Sequence, residues 1–185
     1  MPVILFMIAL LTPALAAAQG PDGPESTQVY LTPAQALKQA FPDADTVRTE
    51  THILTPDLIG RVERRLGWRL EESEVRVHLG YRGERLLGYA VITEQVGLYK
   101  PITFLVKVTP DGRVDDTWIM TYRESRGGEV RRKRFLSQYQ GKSAKDPIRL
   151  NRDVIGITGA TLSVRAVSLG VKRVVILIDD IYLKK

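Results

Sequence analysis

The sequence predicts an α+β fold: an antiparallel sheet built from hairpins, with helices packed on it, in a single small domain. Three observations carry this. Apolar residues alternate with polar ones, or run continuously, over residues 75–79, 86–94, 102–108 and 114–122, and turn residues separate these runs. The clearest helical period comes afterwards, where Ala160, Val164, Val167, Val171, Val174 and Ile178 recur at spacings of three and four. The chain has 185 residues, 44% hydrophobic and 26% charged, which suits one modest core with extensions.

Residues 2–18 form an almost unbroken apolar run ending in Ala14-Leu15-Ala16-Ala17-Ala18. Small residues at that spacing read as a secretory signal peptide cleaved after Ala16 or Ala18, with an uncleaved N-terminal anchor as the lesser reading. The run is short for a membrane span and contains Pro13. Either way the body of the chain is expected outside the cytoplasm. Residues 19–30 carry Gly20, Pro21, Gly23 and Pro24 and read as a linker.

Residues 31–68 read as a helical N-terminal segment, and residues 69–185 as the main domain. Thr32-Pro33-Ala34-Gln35 offers a cap, a proline at the first helical position and a capping-box glutamine. That helix is expected to end near Ala40, before Pro42. Thr55-Pro56 repeats the device, and Leu58, Ile59, Val62 and Leu66 give an apolar face that stops at Gly67. A strand is expected between these helices, over residues 46–54.

Residues 75–94 then read as a hairpin turned at Tyr81-Arg82-Gly83-Glu84. Residues 102–122 read as a second, closed by Pro110-Asp111-Gly112. Residues 131–140 read as a helix ended by Gly141, with Arg131-Arg132-Lys133-Arg134 as a solvated face. The helix over residues 160–178 is expected to place Ser163, Arg165, Ser168, Lys172 and Arg173 away from the core. Beyond Val174 the Val- and Ile-rich end is expected to turn into a short strand. No internal repeat is present.

Composition excludes several chemistries. There is no cysteine, so disulfides, cysteine-held iron–sulfur clusters, thioether-linked haem and lipoprotein anchoring are ruled out. His52 and His78 have no metal-ligand spacing. No acid, base and nucleophile cluster stands out. The net charge of +6 is diffuse and does not point to nucleic acid.

The stretch with chemical content is Thr158-Gly159-Ala160-Thr161-Leu162-Ser163. Thr158 reads as an N-cap, which puts Thr161 in the first helical turn. Free N–H groups and the positive end of the helix dipole make that a place for a hydroxyl that carries or contacts a phosphate.

This stretch resembles the [Ser/Thr]-Gly-Ala-Thr signature of extracytoplasmic FMN-binding domains, found in the flavin-carrying subunits of the Rnf and sodium-translocating NADH:quinone oxidoreductase complexes. The resemblance runs from about Gly88 to Ile178. It includes Gly88-Tyr89, Tyr99-Lys100-Pro101-Ile102-Thr103-Phe104, Pro110-Asp111-Gly112 and Tyr122-Arg123-Glu124-Ser125-Arg126-Gly127. It implies FMN as cofactor, with Thr161 as its attachment point through a phosphoester made by a flavin transferase. Thr158, Gly159, Ala160, Leu162 and Ser163 would complete the phosphate end. Tyr99, Lys100, Pro101 and Thr103, with Glu124, Ser125, Arg126 and Gly127, would lie near the ring. The transferase signature has aspartate three residues before its first threonine. Ile155 stands there, and Asp153 comes two residues earlier. Covalent and non-covalent holding therefore both stay open.

The implied function is an extracytoplasmic electron carrier that exchanges electrons with redox partner proteins at or near the membrane. An enzyme with a substrate of its own fits less well. The alternative is a scaffold or flavin-sensing module of the same fold.

Overall fold

The computed structural model describes residues 27–184. The expected leader at residues 1–18 and linker residues 19–26 lie outside the described residues. Ten elements follow one another, with short 3₁₀ and π pieces between or after them: β1 (Gln28–Val29), α1 (Pro33–Ala40), β2 (Thr46–Ile53), α2 (Pro56–Leu66), β3 (Glu74–Arg82), β4 (Arg85–Val96), β5 (Pro101–Val108), β6 (Val114–Tyr122), α3 (Lys133–Leu136) and α4 (Thr161–Ile178). The six strands form one antiparallel sheet in the order β1-β6-β5-β4-β3-β2.

Both expected hairpins are present. β4 pairs with β5 from Tyr89↔Val108 to Val96↔Pro101, which joins the two hairpins into one sheet. Two features extend that sheet beyond the expected domain start. β2 pairs with β3 along eight residues, so the segment at residues 31–68 contributes an edge strand as well as helices. Gln28 and Val29, placed in the linker by composition, pair with Tyr122 and Thr121.

The two short helices form where their caps are. Thr32 Oγ1 accepts the Gln35 N–H at 3.3 Å, and Gln35 Oε1 accepts the Thr32 N–H at 2.9 Å. Thr55 Oγ1 accepts the Leu58 N–H at 3.4 Å, and Gly67 ends α2 at φ 83°. α1 covers one face of the sheet through Ala36, Ala40 and Phe41, against Ala90, Leu105 and Met120.

α4 covers the other face. Val164, Val167, Val171, Val174 and Ile178 are fully buried and join Ile102, Phe104, Val106 and Val108 in the main core. Each such side chain stabilises the fold by roughly 1.5–3 kcal/mol. Gly170 lets the helix approach closely, since a Cβ there would overlap the Phe104 ring.

Three residues expected on the exposed side of α4 are buried: Ser163, Ser168 and Arg173. The reason is that other segments cover the helix as well: the loop after β6 at Ser163, Tyr139 at Ser168, Glu72 and Thr93 at Arg173, and α2 near its end. Val62 and Leu66 meet Ile176 and Leu177 there, so α4 is covered on more than one side. Its buried polar groups all have partners, as burial requires. Ser168 Oγ lies 2.9 Å from Tyr139 Oη and donates to the Val164 carbonyl at 2.8 Å. Arg173 donates to Glu72, to Thr93 Oγ1 and to the Glu94 carbonyl. β3 and β4 pair only from His78↔Ala90 to Arg82↔Arg85. Where they diverge, a cleft of about 630 Å³ opens, and the Arg173 guanidinium bonds the β4 backbone at its wall.

Two further expectations are corrected. The chain after α4 does not become a strand: it continues as a π-helical segment over Asp179–Leu183. Val174, Val175, Ile176, Leu177 and Ile178 are all buried, so the apolar run reflects a helix enclosed all round. Tyr182 anchors the end by packing on Tyr89, with ring centroids 4.6 Å apart, and by donating to Glu50 at 2.8 Å. Residues 131–140 form α3 between two 3₁₀ turns, Gly128–Arg131 and Ser137–Tyr139, instead of one helix. The buried anchors Val130, Phe135, Leu136 and Tyr139 pull this stretch onto the core at uneven spacing. The basic run is exposed, as expected, with Arg131 over the Tyr30 ring at 4.5 Å.

Candidate functional site

The site is built around the start of α4. Ala160, not Thr158, is the N-cap residue, at φ −123° and ψ 22°. Thr158 and Gly159 form a turn before it, Gly159 at φ 80°, and the Ala160 N–H bonds the Ile157 carbonyl at 3.0 Å. Thr161 is therefore the first helical residue, and its side chain is exposed.

No side chain caps α4, unlike α1 and α2. Its first internal bond runs from the Val164 N–H to the Ala160 carbonyl at 2.9 Å. The N–H groups of Thr161, Leu162 and Ser163 have no acceptor among the described residues. An uncapped 18-residue helix thus presents three free donors beside an exposed hydroxyl. Nothing lies within 4 Å of a Cβ built on Gly159, so the approach is open. A phosphate monoester fits this cradle by charge and by donor geometry.

Two signature residues have other work. Ala160 is buried in the main core, so its small size serves packing under the turn. Ser163 is buried too, and its hydroxyl lies 2.8 Å from Tyr122 Oη. Tyr122 also donates to the Arg126 carbonyl. Burial raises the Tyr122 pKa, with the Ser163 hydrogen bond opposing, so the phenol remains a neutral donor. Only the Ser163 N–H is thus free to face a phosphate, while the Ser163 side chain ties the helix start to the loop after β6.

That loop brings in the ring-side candidates. Gly127, at φ 87°, lies against Ser163 and Tyr122 with no room for a side chain. Glu124 reaches the other way: its Oε1 accepts the Tyr99 N–H at 2.7 Å and the Lys100 N–H at 3.0 Å. The β4–β5 turn closes with the Gly97 N–H on the Lys100 carbonyl at 3.0 Å. Tyr99, Lys100, Glu124, Ser125, Arg126 and the α4 start are thus linked through Glu124, Tyr122 and Ser163. Tyr99 is 77% exposed at the tip.

Thr103 does not join them. It shares a strand face with Leu105, which packs toward α1, whereas Ile102 and Phe104 face α4. The Thr103 hydroxyl donates to Glu94 at 2.5 Å and accepts from Arg123 at 2.8 Å. Tyr122 belongs to the site although its residue type alone did not mark it. An aromatic hydroxyl at the end of a buried strand was the available signal, and its partner 41 residues away was not visible in the sequence.

Asp153 does not stand in for the aspartate missing at Ile155. Its carboxylate accepts the Ile148 N–H at 3.0 Å, the Arg149 N–H at 2.7 Å and Lys142 Nζ at 2.9 Å. Partial burial acts to raise its pKa, but these hydrogen bonds outweigh it and hold the carboxyl below the usual range. Asp146 is lowered as well, first through the Ser143 N–H. Both carboxylates thus stabilise the folded chain above the unfolded carboxylate pKa of about 3.9. That contribution is lost as pH falls through their lower folded values. Asp153→Asn should therefore lower the melting temperature at neutral pH and flatten the acid limb of the stability profile. A variant whose acid limb matches the parent's would remove Asp153 from this role.

Comparison with known proteins agrees with the geometry. Residues 97–176 match the FMN-binding domain family, a span holding the Tyr99–Lys100 turn, the Glu124 loop and the signature helix. Over 155 residues the chain is 30% identical to a subunit of the proton-translocating ferredoxin:NAD(+) oxidoreductase complex of Clostridium ljungdahlii, covering 79% of this chain and 77% of that protein. The crystal structure of Shewanella oneidensis NqrC superposes with a TM-score of 0.52 at 17% identity, over 74% of this chain and 80% of that one, and so shares the fold. An uncapped helix start at Thr161, in a sequence span that matches the family and a fold that its structures share, places this chain in the FMN-binding domain family of the Rnf and Nqr flavin subunits, with FMN as its cofactor.

Proposed function

We propose that the protein is an extracytoplasmic electron carrier that holds FMN by its phosphate at the start of α4, with Thr161 as the point of attachment. The observation that carries this is the exposed Thr161 hydroxyl beside three unpaired N–H groups. The name of the Clostridium relative describes part of a proton-translocating oxidoreductase complex, which supports electron transfer as the task. The apolar, alanine-ended run at residues 2–18 supports export. Bound FMN supplies one- and two-electron chemistry, and the chain supplies position, phosphate neutralisation and partial exclusion of water. Redox partner proteins at or near the membrane would take and give the electrons.

Attachment requires a flavin transferase and a flavin diphosphate donor: the Thr161 oxygen bonds the flavin-side phosphorus, the phosphoanhydride breaks, a nucleoside monophosphate leaves, and the protein gains the mass of FMN less water. Ile155, 78% exposed in place of the signature's aspartate, removes a charge such an enzyme would read. Tight non-covalent holding is the competing form of the same reading.

Acid precipitation separates the two. After co-production with a flavin transferase, an ester-linked flavin stays in the pellet, whereas non-covalent FMN passes into the supernatant. Thr161→Ala should abolish the covalent product outright. It should weaken a non-covalent complex by only about 0.5–1.5 kcal/mol, the worth of one hydrogen bond. Ile155→Asp should raise covalent occupancy. A protein that stays colourless with the transferase and with excess FMN would defeat the carrier reading and leave the scaffold.

A further inference from the structure

We infer that the face carrying Thr161 is a docking surface for a redox protein that presents an apolar centre and a carboxylate rim. This rests on the carrier reading and names the partner's chemistry.

Nine large apolar side chains are exposed among the described residues, and four of them lie on α4 and on the β4–β5 turn: Leu98, Tyr99, Leu162 and Leu169. The fold brings these segments together. Leu162 and Leu169 are seven residues apart, hence on one side of α4 about 10 Å apart along its axis. Gly170, next to Leu169, lies against the Gln95 side chain, at the end of β4 that leads into the turn. Glu124 holds the Tyr99 end to the loop whose Gly127 abuts Ser163, next to Leu162. The β4–β5 turn is therefore held beside α4, and these four apolar residues lie exposed on adjoining segments. Clustered exposed apolar residues mark interaction sites, whereas scattered ones do not.

The charges around this surface are mostly of one sign. Arg126, next to the Gly127 that abuts Ser163, and Arg165, between Leu162 and Leu169 on α4, are exposed, and their side chains have no ion pair or hydrogen bond among the described residues. Glu124, the acid nearest the turn, already has an oxygen occupied by two backbone donors. Unpaired guanidinium groups around an apolar centre complement carboxylates, steer an encounter and leave it short-lived, as electron exchange between proteins needs. A lipid surface would satisfy the same charges, but it takes no electrons from a cofactor held at Thr161.

The test places a benzoylphenylalanine photo-crosslinker at Leu169, and separately at Arg134 as a control, in the full-length protein made in its own cells. The expected result is an adduct from position 169, absent from position 134, whose partner carries a flavin, haem or iron–sulfur cofactor by mass spectrometry and absorbance. Arg165→Glu, which lies outside the flavin site, should reduce that adduct at least several-fold and leave flavin content unchanged. A phospholipid adduct, an adduct with a second copy of this chain, or no adduct would overturn the proposal. So would a cofactor protein captured equally from position 134, or one insensitive to the charge reversal. Failure of the carrier reading would look different: the purified protein would lack flavin absorbance whatever it captured.

Discussion

Val171→Asp abolishes the cooperative fold. Val171 is fully buried in the middle of α4, in the core shared with β4 and β5. The change forfeits about 1.5–3 kcal/mol of apolar burial. It also costs several kcal/mol to place a carboxylate among the apolar side chains of that core. Against a total stability of about 5–15 kcal/mol for a domain, little remains. Circular dichroism should show no sharp thermal transition. Arg165→Asp, on the exposed side of the same helix, should melt close to the parent. A Val171→Asp protein with the parent's transition would show that this face of α4 does not hold the sheet.

Gly127→Val has the second largest expected effect, and it acts at the site. Two costs add. The left-handed backbone at φ 87° disfavours any L side chain by about 1–2 kcal/mol. A Cβ at Gly127 would fall 2.6 Å from Tyr122 Oη and nearer still to Ser163 Oγ, an overpacking that costs about 1–3 kcal/mol. The sum is about 2–5 kcal/mol. It should break the Tyr122–Ser163 contact and free the start of α4, so retained flavin should fall along with the melting temperature. Gly159→Ala separates the two costs. Gly159 has a similar φ of 80° but open space around it, so only the backbone cost applies. Equal losses of stability from the two variants would mean that the packing of Gly127 against Ser163 contributes nothing.

What was legible in the sequence was what depends on near neighbours. Thr32 and Thr55 cap their helices with residues three positions on, so both helix starts were readable. Each strand of the two hairpins pairs with its chain neighbour across a short turn, and the alternation marked them. The signature at Thr161 was readable because the bare helix start it marks is a local property of residues 158–163.

What tertiary structure decided depends on partners far along the chain. Ser163, Ser168 and Arg173 have the composition of a solvated helix side. They are buried because the loop after β6, Tyr139, and Glu72 with Thr93 cover them, and each is satisfied by a partner from 29 to 101 residues away. Thr103 matched the family's ring-side segment, yet the parity of β5 turns it to the α1 side. The Val- and Ile-rich end after Val174 looked like a strand because β-branched residues suit strands, but burial on all sides lets a helix keep them. Periodicity reports which residues avoid water only when an element has one wet side. Once α4 was enclosed, its pattern no longer said which way each residue faced.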